Sequence, residues 1–339
     1  MRCARWRTTS RVWSIAAIAA IVATAGSAPS AARANQKTDK KSAEFGEPEP
    51  RTLRTDDGVS LHITYYKSTA EKEAPVVVLL HMKDGNRFVW QNEGGFARRL
   101  QSEGYAVVTV DLRYHGESKL GGAVGVGNAN QGGGKKKGKK AAGLDLKQGD
   151  YNAMFEFDME AVKEFIKEEH QAGNLNMNKM GIVGPEMGAS IAAFYAALDW
   201  AKAPYEDAQP GFQTPRGQDV RALVLISPEN SYHGLTLAKV APELKDPEKQ
   251  IAILVCAGSD ARDKAQSEKV YDMFLQPPAQ NKKRMHYRPY PAKLSGTDLL
   301  GKKLGIEEDM LVFFGEHLKK IDSPWRDRRS KRERLEKKK

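Results

Sequence analysis

The chain has 339 residues, long enough to bury one large core, and carries 54 Lys and Arg against 43 Asp and Glu, a formal net charge of +11. That charge sits in appendages: five arginines within residues 1–34, five lysines within 135–140, and nine basic against three acidic residues from 326 to 339, which leaves the rest near −5. A mildly acidic body with no basic, aromatic-bearing face argues against nucleic acid as a partner, and two cysteines, Cys3 and Cys256, exclude a disulfide framework.

In chain order, Arg2, Arg5, Arg7 and Arg11 come first. An Ala/Ile/Val-rich run follows from Val12 to Ala25, then small residues lead to Ala32-Arg33-Ala34. This three-part pattern predicts a signal peptide over 1–34, cleaved after Ala34, and hence a periplasmic or secreted protein. As a membrane anchor the run falls short of the roughly 20 residues that span a bilayer. Cleavage would remove Cys3 and leave Cys256, inside an apolar strand, as a small buried hydrophobe.

Residues 35–49 read as a polar linker, and a folded domain is expected over 50–322. Arg51 to Lys67 predicts a hairpin turning at Asp56-Asp57-Gly58. Ala74 to His81 is a nearly continuous apolar strand, as expected where both faces of a parallel sheet are covered. A helix near Gly95 to Gly104 and a strand from Tyr105 to Leu112 follow. Residues 121–143, rich in Gly, Asn and Lys, cannot bury a core and read as a flexible surface insertion. The spacing of Phe155, Met159, Val162, Phe165 and Ile166 predicts a helix over Asn152 to His170. Next come a strand at Lys179 to Val183, a tight turn Gly184-Pro185-Glu186-Met187-Gly188, and a small-residue helix. Strands at Ala222 to Ile226, Ile251 to Cys256 and Met285 to Tyr290 alternate with helices at Asp263 to Phe274 and Ile306 to Lys320. Strands separated by single helices imply an α/β domain with a mostly parallel sheet and helices on both faces. A basic tail, 323–339, completes the chain.

Four landmarks in this order resemble the α/β-hydrolase superfamily over Arg51 to Lys320. Val76 to Met82 looks like the strand and loop that supply part of an oxyanion hole. Asp111-Leu112-Arg113-Tyr114-His115-Gly116-Glu117-Ser118 is close to the family's Asp-x-Arg-Gly-His-Gly-x-Ser. Gly184 to Gly188 is similar to the Gly-x-Ser-x-Gly nucleophile elbow. Asp260, in Ala257-Gly258-Ser259-Asp260, occupies the position of the triad acid. The short span from Pro228 to Ile251 implies a compact, esterase-like or dienelactone-hydrolase-like form with little or no lid.

The resemblance places Glu186 at the nucleophile position, Ser295 at the position of the missing histidine, and Met82 and Met187 as oxyanion-loop residues. Hydrolysis by this fold needs a nucleophile, a base and an orienting acid, so only Asp260 of the three roles matches by type. His233, in the loop after Ile226, and His81, in the oxyanion loop, are the candidates for a substitute base. No cofactor is expected. Glu186, Asp260, Glu229 and Asp84 are oxygen donors of the kind that suit Ca²⁺ or Mg²⁺, but nothing in their spacing compels a metal, and no His/Cys cluster points to zinc. The sequence therefore leads to an exported α/β-hydrolase-fold protein with a degenerate triad that binds a small molecule or an envelope partner, its basic tail resting on anionic surfaces. The alternative is an esterase or peptidase-like hydrolase with a rearranged or carboxylate-based site.

Overall fold

A computed structural model of the chain describes residues 45–92, 95–119 and 146–336. The expected signal peptide, most of the 35–49 linker and the 121–143 insertion lie outside the described residues.

The domain is built on an eight-stranded sheet. Its strands are β1 (Glu49–Arg54), β2 (Ser60–Tyr66), β3 (Pro75–Leu79), β4 (Ala106–Val110), β5 (Asn176–Pro185) and β6 (Val220–Ile226), with β9 (Ala252–Gly258) and β10 (Met285–Tyr290) at one edge. The intervening β7 (Ser231–Tyr232) and β8 (Leu235–Thr236) form a separate small hairpin. The spatial order is β1-β2-β4-β3-β5-β6-β9-β10. Only β2 runs against the rest: it pairs antiparallel with both β1 and β4, while β4, β3, β5, β6, β9 and β10 pair in parallel. The strand order reverses at β3, which has β4 on one side and β5 on the other. Ligands of such sheets bind beyond the carboxyl ends of the strands at this reversal.

Continuous apolar strands explain the two cores. Side chains alternate between faces, so Val76, Val78, Ile182, Leu223 and Val255 pack on one side. Val77, Leu79, Val183, Val224 and Leu254 pack on the other. The first face is covered by helices α1 (Met159–Gln171), α2 (Met187–Ala201) and α3 (Lys264–Leu275), the second by Phe96, Leu100 and helix α4 (Ile306–Phe314). In α2 the run Ala189, Ala192, Ala193, Ala196 lets the helix lie close on the sheet.

The predicted hairpin, strands and helices are present. Two helices differ in detail. The one expected from Asn152 starts at Gln148, where the Lys147 N–H donates to Asp150 Oδ2 at 2.8 Å. It then passes through a wider turn at Met154–Asp158 before α1. The last helix likewise ends in a wide turn, Gly315–Lys319. Among the described residues no helix is long and apolar enough to cross a membrane.

The boundary at 322 is corrected: the packed body continues through the start of the basic tail. Trp325 Nε1 donates to the His170 carbonyl at 2.9 Å, and His170 Nε2 donates to the Arg326 carbonyl at 2.7 Å. Asn176 Nδ2 donates to the Ser323 carbonyl at 2.8 Å. Arg328, only 5% exposed, donates to Asn178 Oδ1 at 2.6 Å and forms a bidentate pair with buried Asp219. Lys163 reaches the same carboxylate at 2.9 Å and also pairs with Asp199. A guanidinium needs partners once buried, and the floor of the sheet supplies them. Removing one member of a buried ionic network leaves uncompensated charge. Arg328→Ala is therefore expected to lower unfolding free energy by about 3 kcal/mol in denaturant titration. A loss below about 0.5 kcal/mol, the range of ordinary surface substitutions, would return the segment to a solvated tail.

Candidate active-site cleft

The turn Gly184 to Gly188 lies at the carboxyl end of β5 and leads into α2. Glu186 sits at its apex with φ 47° and ψ −108°, a backbone conformation that costs a non-glycine residue on the order of 1–3 kcal/mol. The turn is tight enough that a Cβ on Gly184 would lie 2.1 Å from the Gly188 carbonyl oxygen. These are the sterics of a strand–turn–helix elbow that exposes its central side chain. Here the exposed group is a carboxylate.

Glu186 is half-buried; its backbone N–H donates to the Ile226 carbonyl at 2.8 Å, while its carboxylate has no salt-bridge or hydrogen-bond partner among the described residues. Burial pushes its carboxyl above the usual range, and the charges of Asp263, Glu229 and Asp298 push it further the same way. Lying at a helix start, where backbone dipoles favour anions, it is nonetheless set among acids.

The loop after β10 approaches this carboxylate through Gly296. A Cβ there would meet Met82 Sδ at 2.9 Å and Glu186 Oε1 at 3.0 Å, so the glycine, with φ 54°, leaves room for both side chains. Gly296 is held in place by its N–H donating to Ser227 Oγ at 2.9 Å. Ser295, next to it, donates its hydroxyl to Asp263 Oδ1. Ser295 thus stands between an acid and the elbow, where a base would have to stand.

The acid is not the expected one. Asp260 is exposed, its N–H bonded to the Ala292 carbonyl at 3.2 Å. The chain runs on along the loop for three more residues before α3 begins, and Asp263, just ahead of that helix, turns into the cleft. Its Oδ2 is buried without a partner. An aspartate immediately before a helix reads as an N-cap, yet this one makes no cap bond. The sequence offered no signal that separates this aspartate from an ordinary N-cap. Glu229 was named from the sequence only as a possible oxygen donor, and Asp298 was missed for lack of a motif around it.

Neither substitute base makes a hydrogen bond to Glu186. His81 is fully buried: its Nε2 accepts from the Leu112 N–H at 3.1 Å, which leaves Nδ1 to donate to the Met82 carbonyl at 2.8 Å. Burial, with His115 nearby, lowers its pKa to about 4. Both ring nitrogens are engaged and the ring is neutral, so His81 is a structural tie between β3 and β4. His233 is exposed, stacked on Tyr151 with ring centroids 4.9 Å apart, and makes no hydrogen bond to Glu186. Met82 lies beside Gly296, close to Glu186. Met187 opens α2, so its N–H is among the four that lack an intrahelical partner.

The Asp-x-Arg motif proves structural. Arg113 donates its N–H and Nε to buried Asp158, each at 2.8 Å, and reaches Asp57 at 2.7 Å. Asp111 pairs with Arg87. Among the described residues no three His, Cys, Asp or Glu side chains are gathered as metal ligands.

The raised Glu186 carboxyl has a consequence for pH dependence. The folded state holds this proton more tightly than the unfolded chain does, so ionisation costs stability as pH rises from the ordinary glutamate range through the folded pKa. Glu186→Gln is expected to raise the melting temperature at pH 7 and to change it little at pH 4. An unchanged or lower value at pH 7 would mean that Glu186 has a stabilising partner.

No known protein family profile matches the chain, and no curated protein resembles it in sequence. Solved structures do share its architecture. An esterase from Pyrococcus furiosus is similar at 14% identity and TM-score 0.54, over 82% of this chain and 93% of that one. An acylaminoacyl peptidase from Pyrococcus horikoshii is similar at 16% identity and TM-score 0.56, over 86% of this chain and 45% of that one. A hypothetical protein from Pseudomonas aeruginosa is similar at 15% and 0.52, over 81% and 95%. With the sheet order, the single reversed strand and the elbow after β5, these likenesses identify the fold: the chain is an α/β-hydrolase-fold protein.

Proposed function

We propose that this is an exported α/β-hydrolase-fold protein that works by binding a ligand or partner at the old cleft rather than by serine hydrolysis. The observation that carries the reading is the surroundings of Glu186. A carboxylate stands where a nucleophilic hydroxyl belongs, its charged neighbours are Asp263, Glu229 and Asp298, and both nitrogens of His81 are already engaged. Nucleophilic hydrolysis needs a base within hydrogen-bond reach of the attacking oxygen or of the water that releases the intermediate. A cleft bordered by four carboxylates favours a cationic or amine-bearing ligand instead. Export is supported by the arginine-led, alanine-rich start of the chain. The basic residues beyond Lys331 would add a salt-sensitive attraction to anionic envelope surfaces.

One observation favours a second reading. A carboxyl raised by burial and by other carboxylates is the arrangement that keeps a general acid protonated. A carboxylate-based hydrolase would use Glu186 in that way.

Turnover of short-chain activated esters separates the two. The binding reading predicts that the chain from Asn35 hydrolyses them no faster than its Glu186→Ala variant, while clear turnover abolished by Glu186→Gln would establish the second reading. The site assignment has its own test. Installing a nucleophile and a base together, Glu186→Ser with Ser295→His, is expected to yield ester turnover at least about tenfold above either single variant, since parts of a triad act as a unit. No gain in a folded double variant would mean that Ser295 and Asp263 are misassigned.

A further inference from the structure

At the opposite end of β5 from Glu186, beneath the amino ends of β5 and β6, lies a cavity of about 190 Å³ whose charged lining is Arg221, Arg326, Arg328 and Asp322. Arg328 is neutralised by Asp219, which leaves Arg221 and Arg326 against the one exposed carboxylate of the lining, Asp322. Arg328 is the built part of the wall, nine-tenths buried and fixed by Asp219 and Asn178. Arg221 is held over the Trp200 ring at 4.9 Å, and its one hydrogen bond, to the Lys249 carbonyl, is long at 3.5 Å. Arg326 has no carboxylate partner among the described residues. The Nε atoms of Arg221 and Arg328 are both buried without a hydrogen-bond partner.

Arginine stays charged when buried, and its planar fork fits the paired oxygens of a phosphate. A guanidinium taken partly out of water gains when an anionic acceptor reaches its free N–H groups, and those on offer here belong to Arg221 and Arg326. Burial, with the Arg328 charge, pulls Arg221 below the usual arginine range against the opposing pull of Asp219 and Asp199. We propose that this cavity binds a phosphate-class oxyanion, free or presented by a lipid headgroup. The site is separate from the cleft and independent of its reading, and it uses the part of the basic tail that folds onto the body.

The test is calorimetric titration of the chain from Asn35 with inorganic phosphate and with pyrophosphate at low ionic strength. Vesicle sedimentation with phosphatidylglycerol runs in parallel. Saturable binding at one site is expected, weakened about tenfold by Arg326→Gln or Arg221→Gln and lost in the double variant. Each charge-assisted bond contributes on this scale. Lys239→Gln, on an exposed turn, serves as the control and should bind normally. Arg326 is exposed, so its variant folds even if loss of the Trp200 contact unfolds Arg221→Gln. Phosphate binding without variant-sensitive vesicle binding identifies a soluble ligand; variant-sensitive sedimentation identifies a headgroup. Absence of saturable binding to either, or equal affinity in Arg326→Gln, overturns the proposal.

Discussion

Everything distinctive about this protein follows from one backbone constraint, the elbow at the end of β5. The sheet delivers the chain to the carboxyl edge, α2 begins at once, and the residue between them is forced to positive φ with its side chain projecting over the strand ends. That geometry is stored strain, held by the packing of β5 and α2 on both sides. It is useful only for presenting a side chain. The turn is intact while the presented group is a carboxylate, and the proposed binding role rests on that substitution. Gly184 must remain glycine for the turn to close.

The elbow also organises what surrounds it. The β3 loop packs Met82 against Gly296, and the loop after β10 brings Gly296 against Glu186. Asp263 and Ser295 hold to one another a step further out. The two histidines nearest in sequence order to the cleft loops, His81 and His233, make no bond to Glu186. His81 ties β3 to β4 through the Leu112 N–H and bonds the Met82 carbonyl within its own loop, and His233 stacks on Tyr151. The result is a cleft dominated by negative charge in a chain of net positive charge. The opposite end of the sheet carries Arg221, Arg326 and Arg328 around a second cavity, with Asp219 pairing the last of them.

Much of this was legible in the sequence because it rests on short-range rules. Unbroken apolar strands, single helices between them and glycines at fixed offsets suffice to specify the sheet and the elbow, and Glu186 declares itself by position. What was not legible depended on where loops turn. Asp260 follows its strand directly and so reads as the acid, but the backbone there is engaged with Ala292, and the chain turns inward only at Asp263. The tail misled for a similar reason. Nine basic residues in fourteen read as solvated charge, and nothing local reveals that Asp219, more than a hundred positions away, waits to pair with Arg328.

The central claim is that Glu186 is not a nucleophile. A carboxylate that forms and hydrolyses a covalent intermediate takes oxygen from water into its own side chain. Incubating the chain from Asn35 with a panel of esters and haloalkanes in ¹⁸O-labelled water, then weighing the peptide that contains Glu186, tests this directly. An unshifted mass is predicted. Incorporation of one or two heavy oxygens at Glu186 would contradict the account and make the protein an enzyme.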